Sequence, residues 1–411
     1  MTVEKTHTVI VGAGQAGLAM SAHLRDQNIP HIVLERDRIA ERWRTARWDS
    51  LVANGPAWHD RFPAQEFAGI SGDDFATRDE VVTYFETFAD SVDAPVRCGV
   101  EVQSVTREAG GFRVETSTGV IQAHNIVAAT GPFQTPVIPP VIPEAAPLQQ
   151  LHSCSYQNPE QLPEGGVLVI GAGSSGSQIA DELRRVGRGV WLSIGPHDRP
   201  PRRYRGKDFV WWLGVLGKWQ MKTPPAGKEH VTIAVSGAYG GHTIDFRRFA
   251  EEGITLLGMA GAYENGVMQF ADDLVGNINA GDENYLSLLD EADAYVAREG
   301  LDLPEEPEAR FIRPDPPAMT DPIRSLDLAA AGINTVIWAT GYVQEFGWLK
   351  VNTFDDKGRP RHKNGVSDEP GVYFLGLPWL SMRGSSFIWG VWEDAANLAR
   401  HIASRDADMA S

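Results

Sequence analysis

The sequence predicts an α/β fold with two Rossmann-like dinucleotide-binding domains. Two stretches carry this prediction, TVIVGAGQAGL at residues 8–18 and VLVIGAGSSG at residues 167–176. Each reads as a short apolar strand that runs into Gly-x-Gly-x-x-Gly and then into a helix. A further repeat supports two similar halves, because NIVAATG at residues 125–131 and NTVIWATG at residues 334–341 both read as buried strands ending in Ala-Thr-Gly.

The three glycines of each motif have separate physical roles. The first makes the tight strand-to-helix turn, the second lets a pyrophosphate approach the backbone, and the third lets helix and strand pack closely. The helix N-terminus then offers free N–H groups and partial positive charge to the phosphates. The candidate positions are Gly12, Gly14 and Gly17 in the first motif and Gly171, Gly173, Ser174, Ser175 and Gly176 in the second.

Composition and charge exclude several classes of protein. A length of 411 residues with 42% hydrophobic residues predicts two or three domains, and a net charge of −17 disfavours nucleic acid or an anionic membrane surface as partner. Cys98 and Cys154 form no Cys-x-x-Cys pair, and the 11 histidines form no ligand-spaced set, so we predict neither a dithiol centre nor a metal site. Because no signal peptide and no long apolar run is present, we expect a cytoplasmic protein without a membrane span.

The chain order predicts a discontinuous first domain. Residues 1–160 and 330–411 are assigned to the domain of the first dinucleotide motif, and residues 161–329 to the domain of the second. Five prolines between residues 132 and 143 predict a stiff connection at the boundary between the two domains. Residues 206–307 are expected to be an insertion that shapes the substrate pocket. Its Trp-rich part, residues 209–225, is suited to cover that pocket, to contact a partner or to dock on a membrane.

An acidic residue follows the second predicted strand of the first unit. Glu35 lies 23 residues after Gly12, where the dinucleotide fingerprint places a carboxylate on the ribose. Residues 36–63 are dense in Arg and Trp, which suit a pyrophosphate and the face of a planar ring, although structural packing is an alternative. The cofactor-binding candidates from this half are Arg36, Arg42, Trp43, Val102, Thr130 and Gly131, with Thr340 and Gly341 at the end of the repeated strand.

The second unit lacks such an acid. Its second strand, residues 189–193, ends in Ser193, 22 residues after Gly171, and four arginines follow between residues 199 and 205. A missing carboxylate with added guanidinium groups is what a ribose 2′-phosphate requires. The pattern therefore predicts NADPH rather than NADH, with Arg202 and Arg203 as the phosphate ligands; a solvated basic loop is the alternative.

The remaining elements follow from apolar periodicity. Helices are predicted over residues 16–27, 79–92, 283–299 and 387–403, with a helix and then a strand in residues 245–258. Further strands are predicted over residues 32–34, 100–107, 111–116 and 371–377. The last helix is expected to direct its positive N-terminal end at the cofactor of the first unit, where it would stabilise negative charge on the reduced cofactor.

With these motifs placed, the chain resembles the flavin-containing monooxygenases, single-component enzymes that use FAD and NADPH. It is most similar to bacterial flavoproteins described as potassium-transport-associated oxidoreductases. The resemblance rests on VGAGQAG, SLVANGP, VAATGPFQTPVIP, LHSCSYQNPEQLP, VLVIGAGSSGSQIA, WATGY and GVYFLGLPWL followed by GSSFIWG. It spans nearly the whole chain and implies the glutathione-reductase-like FAD/NAD(P) fold.

The resemblance also implies roles for single residues. Asn54 in SLVANGP resembles the asparagine beside the flavin ring, and Trp43 lies where the family places a tryptophan near the FAD pyrophosphate. His152 and Tyr156 resemble the H-x-x-x-Y part of the family fingerprint. The Phe-x-Gly expected upstream is replaced by Ala146 and Leu148, which argues against a standard Baeyer–Villiger enzyme.

The implied function is an FAD-dependent, NADPH-consuming monooxygenase. It would insert one oxygen of O2 into a small organic substrate through a C4a-(hydro)peroxyflavin, with Asn54 as the catalytic contact and nitrogen or sulfur as the oxidised atom. Three alternatives stay open: a Baeyer–Villiger monooxygenase, an NADPH-dependent flavin reductase or oxidase, and a non-enzymatic flavoprotein that acts as redox sensor or transport partner. The sequence is compatible with a homodimer. It does not identify the substrate.

Overall fold

The computed structural model describes residues 3–222, 224 and 232–410, with side chains as far as residue 405. Residues 223 and 225–231, which belong to the predicted insertion and include the end of its Trp-rich part, lie outside the described residues. The described chain forms 22 strands and nine α-helices.

The elements are numbered in chain order. The strands are β1 (Glu4–Val11), β2 (His31–Leu34), β3 (Val96–Arg97), β4 (Val102–Glu108), β5 (Gly111–Thr116), β6 (Gly119–Ala128), β7 (Thr135–Pro136), β8 (Gln149–His152), β9 (Gly166–Ile170), β10 (Val190–Ser193), β11 (Arg203–Tyr204), β12 (Lys207–Asp208), β13 (Thr255–Leu257), β14 (Ala260–Glu264), β15 (Val267–Phe270), β16 (Ser325–Asp327), β17 (Ile333–Trp338), β18 (Tyr342–Val343), β19 (Leu349–Lys350), β20 (His362–Lys363), β21 (Val366–Ser367) and β22 (Val372–Phe374). The helices are α1 (Gln15–Asp26), α2 (Glu41–Thr45), α3 (Arg78–Ser91), α4 (Ser174–Arg185), α5 (Phe209–Val215), α6 (Phe246–Glu251), α7 (Leu274–Glu299), α8 (Pro317–Thr320) and α9 (Ile388–Ala410).

The first sheet has a parallel layer in the order β22-β6-β1-β2-β3. The start of β6 also pairs antiparallel with β5, and β5 with β4, so β6 joins the layer to a meander. The apolar run of β1 lies in the middle, and Val9 and Ile10 are fully buried, as expected for a strand covered on both faces. Helices α1 and α9 pack against each other beside this layer.

The second sheet is parallel throughout, in the order β13-β10-β9-β17-β8. Two of its strands come from stretches predicted to belong to the first domain, since β8 precedes residue 160 and β17 follows residue 330. The two strands therefore pair in the sheet of the second unit, although the predicted boundaries assign them to the first domain. The physical reason is that β17 is apolar on both faces, with Ile337 and Trp338 buried, and such a pattern suits the middle of either sheet.

The long helix α7 begins at Leu274, well before the predicted start at residue 283. Its first turns carry buried polar residues. These interrupt the apolar periodicity from which the start of the helix is predicted. Asn277 donates to the carbonyl of Ile194 at 3.0 Å, and the Asp282 carboxylate pairs with Arg199 at 2.8 Å and with Arg247. These bonds satisfy polar groups that burial would otherwise penalise.

The Trp-rich stretch forms part of the core where it is described. Phe209, Trp212, Leu213 and Trp219 are buried, and Met221 is exposed. The Nε1 groups of Trp212 and Trp219 donate to backbone carbonyls at 3.0 and 3.1 Å. Across the described ranges, no helix is long and apolar enough to cross a membrane.

The histidines predict how stability depends on pH. Burial is the main cause that lowers the pKa of six of them below the ordinary value of 6.5: His23, His31, His152, His197, His242 and His362. The lowered pKa favours the neutral ring in the folded protein, whereas the unfolded chain takes up protons near pH 6.5, so unfolding near this pH binds protons.

We therefore expect the free energy of unfolding to fall as the pH drops through 6.5, measured as the urea midpoint between about pH 7.5 and 5.5. His362→Gln removes a group whose pKa is lowered by burial alone, and it should make the decline shallower. An unchanged or higher midpoint at the lower pH would contradict the assignment.

Candidate functional site

The first glycine turn joins β1 to α1 with two glycines at which an added Cβ would overlap backbone atoms. Gly12 has a φ of +106°, and a Cβ there would lie 2.6 Å from the carbonyl oxygen of Ala129. A Cβ on Gly17 would lie 1.8 Å from the carbonyl oxygen of Gly12. The turn therefore packs tightly against the residue that follows β6 and against the first turn of α1, as a dinucleotide-binding turn requires.

The second turn, between β9 and α4, repeats this geometry. Gly171 has a φ of +103°, and its Cβ would lie 2.5 Å from the carbonyl oxygen of Ala339. A Cβ on Gly176 would lie 1.8 Å from the carbonyl oxygen of Gly171. In each unit the first glycine thus packs under the Ala-Thr-Gly loop that ends the neighbouring strand.

The middle glycines differ. A Cβ on Gly14 would meet nothing within 4 Å, whereas one on Gly173 would lie 3.1 Å from Cγ2 of Thr232. The Ser174 hydroxyl donates to the carbonyl of Ile233 at 2.8 Å. The backbone at residues 232–235, which we call the covering segment, therefore lies over the N-terminus of α4, next to half-buried Ser175. The first turn is open and the second is covered.

Glu35 lies at the end of β2, across the first turn. Its carboxylate accepts hydrogen bonds from the backbone N–H of Ala13 at 2.8 Å and of Asp37 at 3.0 Å. The Arg36 side chain instead points to the exposed surface, where it pairs with Asp37 at 3.2 Å. Val102 is half-buried at the start of β4, where it pairs with Thr116 in β5.

Two arginines lie beside the first turn without an acidic partner. Helix α2 starts there, since the N–H of Ala40 donates to the carbonyl of Ala13. Arg42 donates through Nη2 to the carbonyl of Phe133, and its buried Nε has no partner. The Arg47 guanidinium lies 5.7 Å from the Trp43 ring, and burial lowers its pKa. No ion pair among the described residues includes either arginine, so this corner suits an anionic ligand.

The two Ala-Thr-Gly loops are joined to each other. The Gln134 amide donates to the Thr130 hydroxyl at 3.0 Å and to the carbonyl of Gly131 at 2.7 Å. The Thr340 hydroxyl donates to the carbonyl of Val137, and the N–H of Val137 donates to the carbonyl of Gly341 at 3.0 Å. The pairing of β7 with β18 continues this connection.

His152 and Tyr156 bind the linker to the second unit. The buried His152 ring lies with Nε2 3.0 Å from the carbonyl oxygen of Gly341, and its Nδ1 accepts from the N–H of Cys154, so Nε2 carries the proton. The Tyr156 hydroxyl donates to Glu182 at 2.7 Å, and burial, followed by this contact, raises its pKa. Both side chains are engaged within the protein.

Asn54 lies where the two units meet. Its Oδ1 accepts from Nε2 of Gln178 in α4 at 2.9 Å, and the same amide donates to the carbonyl of Val235 at 2.7 Å. The backbone carbonyl of Asn54 accepts from Nη1 of Arg202 at 2.6 Å. We call Asn54, Gln178, Arg202 and Asp208 the junction.

The structure places Arg202 away from its predicted role. It is 3% exposed and forms a two-point ion pair with Asp208, and it also donates to the carbonyl of Ser236. At least four of its five N–H groups are therefore used inside the protein. This arrangement gives no support to the prediction that Arg202 binds a ribose phosphate.

Ser193 and Arg203 have different surroundings. The buried Ser193 hydroxyl donates to the carbonyl of Gly258 at 2.8 Å and accepts from the N–H of Ala260 at 3.0 Å, so it joins β10 to the next strands and is not open to a ligand. Arg203 is exposed, and its guanidinium donates to the carbonyl of Gly240 at 3.1 Å. Of the two predicted phosphate ligands, only Arg203 keeps an accessible charge.

Sequence reasoning did not identify Gln178 or Asp208. Gln178 is on the buried face of α4, two residues after the glycine motif, and its partner Asn54 is 124 residues away. The sequence pattern indicates Asp208 as the N-cap of α5. Asp208 has this role in the structure, since its side chain accepts from the N–H of Val210. The capping pattern is a local signal, whereas nothing local indicates the ion pair.

Comparison with known proteins identifies the family. A family model described as pyridine nucleotide-disulphide oxidoreductase matches residues 9–207. A CzcO-like uncharacterised oxidoreductase of Geobacillus kaustophilus is 33% identical over 96% of this chain and 97% of its own length. The indole-3-pyruvate monooxygenase YUCCA1 of Oryza sativa subsp. japonica is 34% identical over 96% of this chain and 90% of its own. The chain belongs to the flavin monooxygenase-like family of oxidoreductases.

This flavin monooxygenase-like protein is therefore an enzyme, an oxidoreductase whose family uses a flavin and a pyridine nucleotide. The solved flavin-containing monooxygenase of Stenotrophomonas maltophilia superposes with a TM-score of 0.69 at 20% identity, covering 98% of this chain and 99% of that one. At this identity the likeness supports the fold alone, and it confirms the predicted α/β dinucleotide-binding fold. The predicted family resemblance is also confirmed.

The two neighbouring arginines of this flavin monooxygenase-like enzyme give a matched test of the junction. Arg202→Ala leaves the buried Asp208 carboxylate without its partner, and we expect a loss of about 3–5 kcal/mol in the free energy of unfolding. Arg203→Ala, at an exposed side chain, should change it by no more than about 0.5 kcal/mol. Equal effects of the two substitutions in chemical denaturation would contradict the structural role of Arg202.

Proposed function

We propose that this enzyme is an FAD-dependent, NADPH-consuming monooxygenase that inserts one oxygen of O2 into a small organic substrate, at nitrogen or sulfur. The observation that carries the proposal is the position of Asn54, held between the two dinucleotide units by Gln178 of α4. In this arrangement a flavin on the first unit and a nicotinamide on the second would meet at one place.

The first turn fits the FAD. Its open face at Gly14 leaves room for a pyrophosphate at the N-terminus of α1, and the buried, unpaired Nε of Arg42 is a donor for the same group. Half-buried Arg47 adds a second positive charge beside the Trp43 ring, and Trp43 packs against both cores. The Glu35 carboxylate, at the end of β2, would accept from the ribose hydroxyls.

The second turn fits a nicotinamide dinucleotide once the covering segment has moved. Gly171 and Gly176 have the required geometry, and Ser174 and Ser175 begin the helix that would receive the pyrophosphate. Arg203 remains as the candidate contact to a 2′-phosphate, which keeps NADPH ahead of NADH. Residues 149–152 and 333–338 would then belong to the NADPH domain.

The bound cofactors supply hydride transfer and the activation of O2. The chain's own contribution is to position and enclose the reacting groups. Since Gln178 occupies Oδ1 of Asn54, the Nδ2 group is the donor that this contact leaves for a ligand. The helix α9 starts beside α1, where Gln15 donates to the carbonyl of Ser386 at 2.7 Å, so its positive end would also face the flavin.

Two observations bear on the alternatives. Cys98 and Cys154 are both free thiols, which gives no support to a disulphide reductase. The departure at Ala146 and Leu148 from the family fingerprint disfavours a Baeyer–Villiger enzyme, so nitrogen or sulfur oxidation is preferred.

The test is made on the purified protein. We expect bound FAD, loss of the flavin absorbance on anaerobic addition of NADPH, and oxygenated product from an amine or sulfide in a panel that also contains a ketone. Absence of FAD would overturn the proposal. Consumption of NADPH with hydrogen peroxide as the only product would favour the reductase or oxidase alternative.

Substitutions in the open first turn can test cofactor binding separately from folding. Gly14→Ala adds a methyl group to free space, so the protein should melt as the parent does, while FAD affinity should fall about tenfold because the pyrophosphate approaches there. Gly17→Ala is the control for strain, since its Cβ would overlap a carbonyl oxygen and should impair folding itself. Flavin content and melting temperature measured together distinguish the two outcomes.

The covering segment predicts whether a substitution of Ser174 strengthens or weakens dinucleotide binding. If Ser174 mainly holds this segment over the turn, Ser174→Ala removes one hydrogen bond that competes with the dinucleotide, and NADPH should bind about fivefold more tightly. If Ser174 binds a phosphate instead, the same change weakens binding. Titration of the oxidised enzyme with NADP⁺ shows whether the substitution makes dinucleotide binding tighter or weaker.

A further inference from the structure

A histidine and an aspartate form an oriented pair close to Asn54. Nδ1 of His59 is 2.7 Å from Oδ1 of Asp60, and Oδ2 of Asp60 accepts from the N–H of Gly55, the residue after Asn54, at 2.8 Å. Because a carboxylate only accepts, Nδ1 is the nitrogen that donates in this contact, and in the neutral ring Nε2 then presents a lone pair. The His59 side chain is 9% exposed, and its Nε2 is buried without a partner.

The His59 ring lies in an aromatic cluster made by three parts of the chain. Its centroid is 5.5 Å from that of Trp219 and 5.6 Å from that of Trp389, and Phe387 lies 5.0 Å from Trp219. The loop after Asn54, the stretch after α5 and the start of α9 meet here. Phe387 and Trp389 are only half-buried, so the cluster can be reached from outside.

A second buried nitrogen in the cluster also lacks a partner, Nε1 of Trp389. Three other buried indoles are paired: Nε1 of Trp212, Trp219 and Trp338 donates to Tyr204, Val210 and Gln150 at 3.0, 3.1 and 3.2 Å. An unpaired buried donor or acceptor costs free energy that a ligand can recover. The two orphan nitrogens therefore point to a ligand that enters this cluster.

We propose that His59, Trp219, Phe387 and Trp389 bind the substrate, and that it is a neutral, flat aromatic molecule with a hydroxyl or N–H group. Such a group donates to Nε2 of His59 and its heteroatom accepts from Nε1 of Trp389, while the rings contact the apolar body. The negative charge of Asp60 next to His59 disfavours a carboxylate at this place. This assignment rests on the proposed monooxygenase function and specifies its substrate class.

Binding of phenol and of toluene, which have the same size and differ in the hydroxyl group, tests the proposal on the oxidised holoenzyme without NADPH. In calorimetric titration, the ratio of phenol to toluene affinity should fall about fivefold or more in Trp389→Phe and in His59→Phe. Trp212→Phe makes the same chemical change at a paired indole outside the cluster, and it should leave the ratio within about twofold.

Melting temperatures supply a second readout. Trp212→Phe loses a hydrogen bond and should melt lower, whereas Trp389→Phe loses only an unpaired N–H and should melt near the parent. No phenol binding by the parent, a ratio unchanged in both cluster variants, or an equal drop in melting temperature for the two tryptophan variants would each overturn the proposal. A protein without FAD that keeps the phenol preference would refute the monooxygenase function and leave the binding site standing.

Discussion

The junction depends on one buried ion pair, between Arg202 and Asp208. The two side chains are 3% and 8% exposed, so each charge needs full compensation within the protein. Arg202 meets this requirement by donating also to the carbonyls of Asn54 and Ser236. The same charge therefore fixes the loop that carries Asn54, the residue that follows the covering segment and the start of α5. The position of Asn54 is in this sense set by an arginine 148 residues away.

The two dinucleotide units are joined at equivalent points. In each unit the first glycine packs under the loop that ends a neighbouring strand, at Ala129 and at Ala339. These loops are then bonded to each other through Gln134, Val137 and the pairing of β7 with β18. The two turns are thereby held at the carboxyl ends of their sheets, the place where α/β folds bind ligands.

The turns have the same internal geometry but different surroundings. Residues outside the motif make the difference, because the covering segment lies over Gly173 while the space at Gly14 is open. One amide connects this segment to the junction, since Gln178 donates both to Val235 and to Asn54. A ligand that displaces the segment would therefore also change what holds the Asn54 side chain. The state of the second turn and the orientation of Asn54 are linked by this single side chain.

The sequence by itself determined the two strand–turn–helix units, the place of Glu35 at the end of β2 and the family. Each of these depends on residues within one short unit, where spacing reflects backbone geometry directly. Only the tertiary structure decided that Arg202 is used internally, that β17 pairs in the second sheet and that α7 starts at Leu274. These outcomes depend on contacts between distant parts of the chain, and no local period records which distant partner a buried charge or strand will meet.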